Sequence, residues 1–382
     1  MRISYVNFLI LAALFVLVSA CAPKPSQTPL PDRVALPVVG TENKAKGLWF
    51  ATSNFSSGGK LGRLDLKSGL IERSILSIAP DTVILPDPAP EGVDGLILLT
   101  RMGQDAVTLL RGPRAEVVVH RALARMINPQ GAARDSFGRL WVTAQESNSV
   151  LVLSPDLKEQ VREIDLSALL ASQDPVSKVD LAQVASLDQT HMVVSAQRLD
   201  RSKGWRPHPQ GGLARINAES FQVELTALVD VTNPIQMAVH AEKVVLVGAG
   251  DFSLEVGGNG KVATFDGRML AIESARNRNI DAKIIAADLD TKGEPPTVIA
   301  WYQEQKRSCV EIGAVQIICE GSEQSRGYVF GAIRRSGKFV FVSYLAIGSA
   351  ELWVIELDGS LKLQTLEKKA MDMPIQSLSF GP

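Results

Sequence analysis

Between residues 128 and 164 the apolar and polar positions fall into a four-beat pattern. Asn128-Pro129-Gln130-Gly131-Ala132-Ala133 leads to a turn at Asp135-Ser136-Phe137-Gly138, and the chain continues as Arg139-Leu140-Trp141-Val142-Thr143-Ala144. Ser149-Val150-Leu151-Val152-Leu153 follows, then a turn at Ser154-Pro155-Asp156 and a last run, Gln160-Val161-Arg162-Glu163-Ile164. Each run lasts only about five residues before a turn signal, too short for a helix, so the pattern predicts four short strands joined by tight turns.

The pattern recurs along the chain. Second strands of such units are expected to begin near Gly47, Gly95, Arg139, His191, Lys243, Thr297 and Lys338, at intervals of roughly 41 to 54 residues. Seven units of four strands at that period predict an all-β, seven-bladed β-propeller. The first unit, from Gly47-Leu48-Trp49-Phe50, lacks an innermost strand, while the chain ends on an unpaired one, Met373-Pro374-Ile375-Gln376-Ser377-Leu378-Ser379-Phe380. That ending matches Asn233-Pro234-Ile235-Gln236-Met237-Ala238-Val239, the opening strand of another unit. The C-terminal strand is therefore expected to complete the first blade and close the ring, which removes two exposed sheet edges.

The order proline, apolar strand, turn with Asp and Gly, aromatic strand, polar turn, apolar strand resembles the repeat of YVTN- and NHL-type propeller proteins. Residues 128 to 156 carry the nearest match. The resemblance implies the propeller fold over residues 46–382 but no one function, because such proteins include ligand-binding proteins, scaffolds and some enzymes.

Ahead of the repeats, Met1-Arg2 precedes an apolar run from Phe8 to Val18 and then Val18-Ser19-Ala20-Cys21. A basic start, an apolar core of about ten residues and small residues before a cut describe an export signal. The segment resembles the bacterial lipoprotein signal, with residues 1–20 removed and Cys21 lipidated. Ala22, rather than an aspartate, after the cysteine implies sorting to the outer membrane. Residues 21–45 carry Pro23, Pro25, Pro29, Pro31 and Pro37 without apolar periodicity, as expected of a semi-stiff tether. The membrane, through the lipid, is thus one expected partner.

Charge adds little. Removing the signal leaves about 39 basic against 41 acidic residues, with no basic block, so no nucleic-acid partner is expected. Of three cysteines, Cys309 and Cys319 are placed symmetrically about Ala314 in an expected hairpin. They read either as a cross-strand disulfide suited to an oxidising envelope or as two buried thiols.

Catalytic patterns are scarce. His120, His191, His208 and His240 fall in different units without metal-ligand spacing, and no nucleophile elbow or phosphate loop occurs. No metal or cofactor is expected. Two long loops joining second to third strands, Arg198–Gln210 and 250–259, belong to adjacent blades and are expected to be neighbours on one face. They offer Arg198, Asp200, Trp205, Arg206, His208, Asp251 and Asn259 as candidate ligand or partner contacts, with Trp205 as an aromatic surface beside positive charge. Gln130, Gln183, Gln236 and Gln376 are candidates for a polar ring at the channel mouth. These features fit a lipid-anchored envelope module that binds protein, peptide or glycan. The alternative is a metal-dependent envelope hydrolase or lactonase, for which Asp180 and Asp281 are the only acidic candidates on innermost strands.

Overall fold

The computed structural model describes residues 33–35, 47–54, 56–87, 95–124, 127–170, 176–252, 259–277, 282–289, 295–321, 329–346 and 349–381. Cys21 and the segment before Arg33 lie outside them. Seven antiparallel sheets of at least four strands stand around a ring as a seven-bladed β-propeller. The innermost strands of successive blades are Ile375–Gly381, Thr82–Asp87, Pro129–Arg134, Leu181–Ser186, Pro234–His240, Ala282–Asp288 and Phe330–Ser336. The first blade is closed as expected, with Leu48 opposite Phe380 and Phe50 opposite Leu378.

Second strands begin at Gly47, Gly95, Leu140, His191, Lys243, Thr297 and Phe339, within one residue of the expected starts. Gly47–Ser53 and Thr297–Tyr302 are buried along their whole length. A blade packs against a neighbour on each face, so its central strands read as continuous apolar runs instead of alternating ones. The core is accordingly divided among the blade interfaces. Trp141, Val152, Met192 and Ile216 pack between the third and fourth blades, and Leu213, Val231, Leu246 and Phe265 between the fourth and fifth.

Polar pins repeat with the blades. Asp81, Asn128, Asp180 and Asn233 each stand one residue before an innermost strand in the left-handed region, with φ of 55°, 53°, 54° and 53°, a conformation that Asp and Asn tolerate. Their carbonyls accept the amides of Arg101, Gln145, Gln197 and Ala249, the residues just past the second strands. On the other face Asp135 accepts Phe137 N–H and Arg139 N–H at 2.9 Å, Arg139 Nε at 2.7 Å and the buried Trp141 Nε1 at 2.8 Å. Arg139 then donates to the Ala218 carbonyl of the next blade at 2.6 Å.

Three details depart from the sequence reading. Arg33–Ala35, within the expected tether, forms a fifth strand against the outer edge of the first blade. The hairpin carrying the cysteines turns at Gly313-Ala314, which by itself would pair Cys309 with residue 318. An extra residue, Ile317, shifts the register and brings Cys309 opposite Cys319, where they are bonded. The matching Pro-Ile-Gln strings are offset by one position around the ring. Ala249 N–H bonds Asn233 O, whereas Ser53 N–H bonds Pro374 O. Gln376 therefore occupies a bulge, as Gln130 does, whereas Gln236 is a paired residue opposite Val247.

Candidate functional site

The loop after the second strand of the fourth blade folds into its own small ribbon. Leu199 and Asp200 pair antiparallel with Pro207 and Arg206, around a single 3-10 turn, Arg201–Lys203. Asp200 caps that turn, accepting Ser202 N–H at 3.0 Å and the Ser202 hydroxyl at 2.6 Å. The Ser202 hydroxyl, with Lys203 adding to it, holds the Asp200 carboxyl below the usual range despite some burial. Gly204 ends the turn in the left-handed region at φ 69°, which glycine enters without penalty.

Arg198 braces the ribbon from beneath. Its side chain is buried, and Nη1 donates to the Gln210 carbonyl at 2.9 Å and lies 3.1 Å from His208 Nδ1. Gln210 N–H also donates to His208 Nδ1 at 3.1 Å, which makes Nε2 the protonated nitrogen of the neutral ring. Burial, with the Arg198 charge, pushes the His208 pKa below its ordinary value. Near neutral pH this imidazole is an uncharged donor.

Between this ribbon and the corresponding loop of the fifth blade lies a cleft of about 280 Å³. Asp200, Lys203, Arg206 and His208 line one wall, with Pro207 and Pro209, while Asp251 and Asn259 line the other and Thr232 comes from the connection between blades. Arg206 Nε donates to Asp251 Oδ2 at 2.9 Å, an ion pair that ties one blade to the next. Thr232 adds a second tie, donating its hydroxyl to the Pro209 carbonyl at 2.8 Å.

A separate charge network fills the adjacent interface. Arg201 reaches Glu146 from Nη1 at 2.7 Å and pairs with Asp180 through Nη2, and Glu146 also pairs with Lys178 at 3.1 Å. The Arg201 guanidinium lies 4.0 Å above the Trp205 ring. Asp180 is fully buried, and burial raises its carboxyl to about 6, against the Leu199 amide and Arg201, which lower it. Burial works against the charge on Arg201, but its bond to Glu146 and the charge on Asp180 more than offset this and raise its pKa.

Five of the seven loop residues expected to contact a ligand therefore line one cleft: Asp200, Arg206, His208, Asp251 and Asn259. Arg198 lies beneath the ribbon. Trp205 is turned toward Arg201, outside the cleft lining, because the guanidinium offers its ring a better partner than water does. Among the described residues no hydrogen bond joins the four glutamines to one another. Gln130 accepts from Arg101 at 3.0 Å and donates to Asn128 O at 3.3 Å, and Gln183, Gln236 and Gln376 are half-buried on three other innermost strands. The amides that do meet are others: Asn128 donates to Gln145 at 2.8 Å, and Gln145 to Gln197 at 3.1 Å. Aligning the residues that follow each second strand would have revealed Arg101, Gln145, Gln197 and Gln303 as one row.

His120 is bonded to Thr108 at 2.8 Å, and His191 lies between Asp188 and Glu224 at 3.0 and 3.2 Å, as expected of structural histidines. Asp180 is already held by Arg201 and Leu199 N–H, so it is not poised as a metal ligand, and Asp281 falls outside the described residues.

No protein-family model matches this sequence, and no curated protein matches it. Solved structures do. The chain is similar to Kuenenia stuttgartiensis hydrazine synthase, at 13% identity over 72% of this chain and 77% of that one, with a TM-score of 0.53. It is similar to dihydro-heme d1 dehydrogenase NirN in complex with DHE, at 13% identity over 96% and 85%, with a TM-score of 0.50. A third likeness is to the β-propeller domain of Myceliophteria thermophila Cps50 (Swd1), at 11% identity over 78% and 88%, with a TM-score of 0.50. Two of these names are those of enzymes and one is not, so at such identities the likeness establishes the β-propeller fold and leaves activity to be argued from the site.

Proposed function

We propose that this chain is a lipid-anchored propeller of the cell envelope that binds a protein, peptide or glycan through the cleft between its fourth and fifth blades. The observation that supports it is the cleft itself. Two long loops with charged side chains of both signs converge there on a rigid ring, and loops held by a scaffold are where binding residues concentrate. The export signal, the lipobox at Cys21 and the proline-rich segment support the location. The anchor would keep the propeller at the membrane while the loop face stays free to meet its ligand.

Site-specific photo-crosslinking in living cells tests the reading. A photoreactive residue at Lys203, in the cleft, should capture a discrete partner that the same residue at Val117, on an exposed outer strand, does not. Replacing both Arg206 and His208 by alanine should abolish that capture. Identical products from both positions would refute the cleft as the binding site, and a chain that takes up no labelled fatty acid, or does so equally after Cys21→Ser, would refute the anchor.

A further inference from the structure

The ribbon wall of the cleft carries a carboxylate oxygen that accepts no hydrogen bond. Asp200 lines the cleft and is 5% exposed. Its Oδ1 caps the 3-10 turn, taking both Ser202 N–H and the Ser202 hydroxyl, while Oδ2 is buried without a hydrogen-bond partner. Lys203 Nζ stands 3.4 Å from Asp200 Oδ2 as an ion pair, on a side chain that is 64% exposed. A buried acceptor without a donor is unfavourable and calls for one, from water or from a ligand.

A donor stands on the same wall. His208 Nδ1 accepts Gln210 N–H, so the neutral ring carries its proton on Nε2, and among the described residues that N–H has no acceptor. The main chain of this wall offers no donor from Pro207 to Gln210. Pro207 and Pro209 have no N–H, His208 N–H donates to Arg198 O at 2.9 Å, and Gln210 N–H is taken by His208. The Pro209 carbonyl is taken as well, by the Thr232 hydroxyl at 2.8 Å. An extended peptide adds to an edge through free main-chain groups, and this edge withholds them. Charged ligands are no better served. Lys203 already has Asp200 and Arg206 already has Asp251, so an ionic ligand would have to break one of these pairs.

The wall therefore suits a neutral ligand whose groups donate and accept side by side. A hydroxyl does both, and vicinal hydroxyls set two such groups on one rigid ring. We propose that the cleft recognises a neutral saccharide, with one hydroxyl donating to Asp200 Oδ2, its neighbour accepting from His208 Nε2–H, and the C–H face of the ring against Pro207 and Pro209. Lys203 moves aside as the hydroxyl arrives, which costs little for so exposed a pair. This rests on the cleft being the binding site and narrows its ligand to a glycan. Burial, with the Arg198 charge, holds His208 below its ordinary pKa, so the imidazole stays uncharged near neutral pH and suited to a neutral partner.

The test uses the full chain in a polyoxyethylene detergent, which carries no sugar. Saturation-transfer difference NMR is recorded with maltotriose, mannotriose, galactotriose and acetylated chitotriose, against acetyl-Ala-Ala-Ala amide. At least one saccharide should take up saturation where the tripeptide does not. Its affinity should hold as NaCl rises from about 0.05 M to about 0.5 M, since screening weakens only charged contacts. Asp200→Asn keeps the cap on Ser202 but puts an amide nitrogen in place of Oδ2, so binding should weaken at least about tenfold with an unchanged melting temperature. Should that variant fail to fold, Lys203→Met decides: it uncovers Oδ2 and should retain or tighten saccharide binding. No saturation of any of the saccharides, tighter binding of the tripeptide, an unaltered affinity in Asp200→Asn, or a loss in Lys203→Met would overturn the proposal. If crosslinking from position 203 captures a partner while every saccharide fails, the glycan inference falls and the binding reading stands; if both fail, the binding reading falls too.

Discussion

Replacing Asp180 by asparagine separates burial from ion pairing at the loop face. Asp180 has no exposed surface, and its two oxygens are taken by Leu199 N–H at 2.9 Å and by Arg201. Even so, burial dominates and raises the carboxyl from its ordinary 3.8 to about 6. That displacement corresponds to about 3 kcal/mol. The folded carboxyl holds its proton more tightly than the unfolded one, so between pH 4 and 6 the folded chain carries more protons, and stability falls as pH rises through that window. Below it Asp180 is protonated in both states, and above it charged in both. Arg201 stays charged throughout and contributes no slope. Urea unfolding of the native chain and Asp180→Asn at pH 4, 5, 6 and 7 isolates the effect, because all other groups cancel in the difference. The variant should gain about 2.4 kcal/mol relative to the native chain between pH 4 and 7, the rest of the roughly 3 kcal/mol lying below pH 4. A constant difference would refute the dominance of burial, and a change of opposite sign would show that the Arg201 pair outweighs it.

Two further outcomes follow from the packing. Asp135→Ala strips the acceptor from a buried indole, two amides and Arg139, and should cost about 3–5 kcal/mol in denaturant unfolding; a loss under 1 kcal/mol, as at an exposed ion pair, would refute the hub. Leu378→Ala opens the closing strand, where Leu378 packs with Phe50 and Phe341, and should cost about 2–5 kcal/mol by the same measurement; an unchanged midpoint would mean that the strand does not close the ring.

The blade phase was legible because burial on both faces turns each second strand into an unbroken apolar run, as in Gly47-Leu48-Trp49-Phe50. Closure was legible because Met373–Phe380 had no partner within its own repeat. Register was not. Whether Gln376 or Gln236 occupies a bulge depends on which amide beyond the second strand reaches which carbonyl, and no residue type signals that. Nor does Arg33-Val34-Ala35 announce a strand, since three residues gain order only from the edge they meet. Adjacent loops brought Arg206 and Asp251 together as expected, because neighbouring blades leave the loops no other place. Trp205 stands outside the cleft lining for a local reason: Arg201, four residues earlier, folds back over its ring, while Lys203 and Arg206 point to other partners.

Within Ala282-Lys283-Ile284 alternation alone would point the lysine outward between two apolar residues, yet it is buried. The ring changes that meaning, since an innermost strand has no solvent-facing side comparable to that of an edge strand. The same geometry accounts for the difference between two neighbouring interfaces on the loop face. Between the third and fourth blades, Arg201 and Lys178 meet Glu146 and Asp180, and the charges cancel in place. Between the fourth and fifth, Arg206 takes Asp251 and Lys203 takes Asp200, and the Asp251 charge acts on Lys283 as well. Internal pairing fills the first interface, whereas the second keeps a cleft of about 280 Å³.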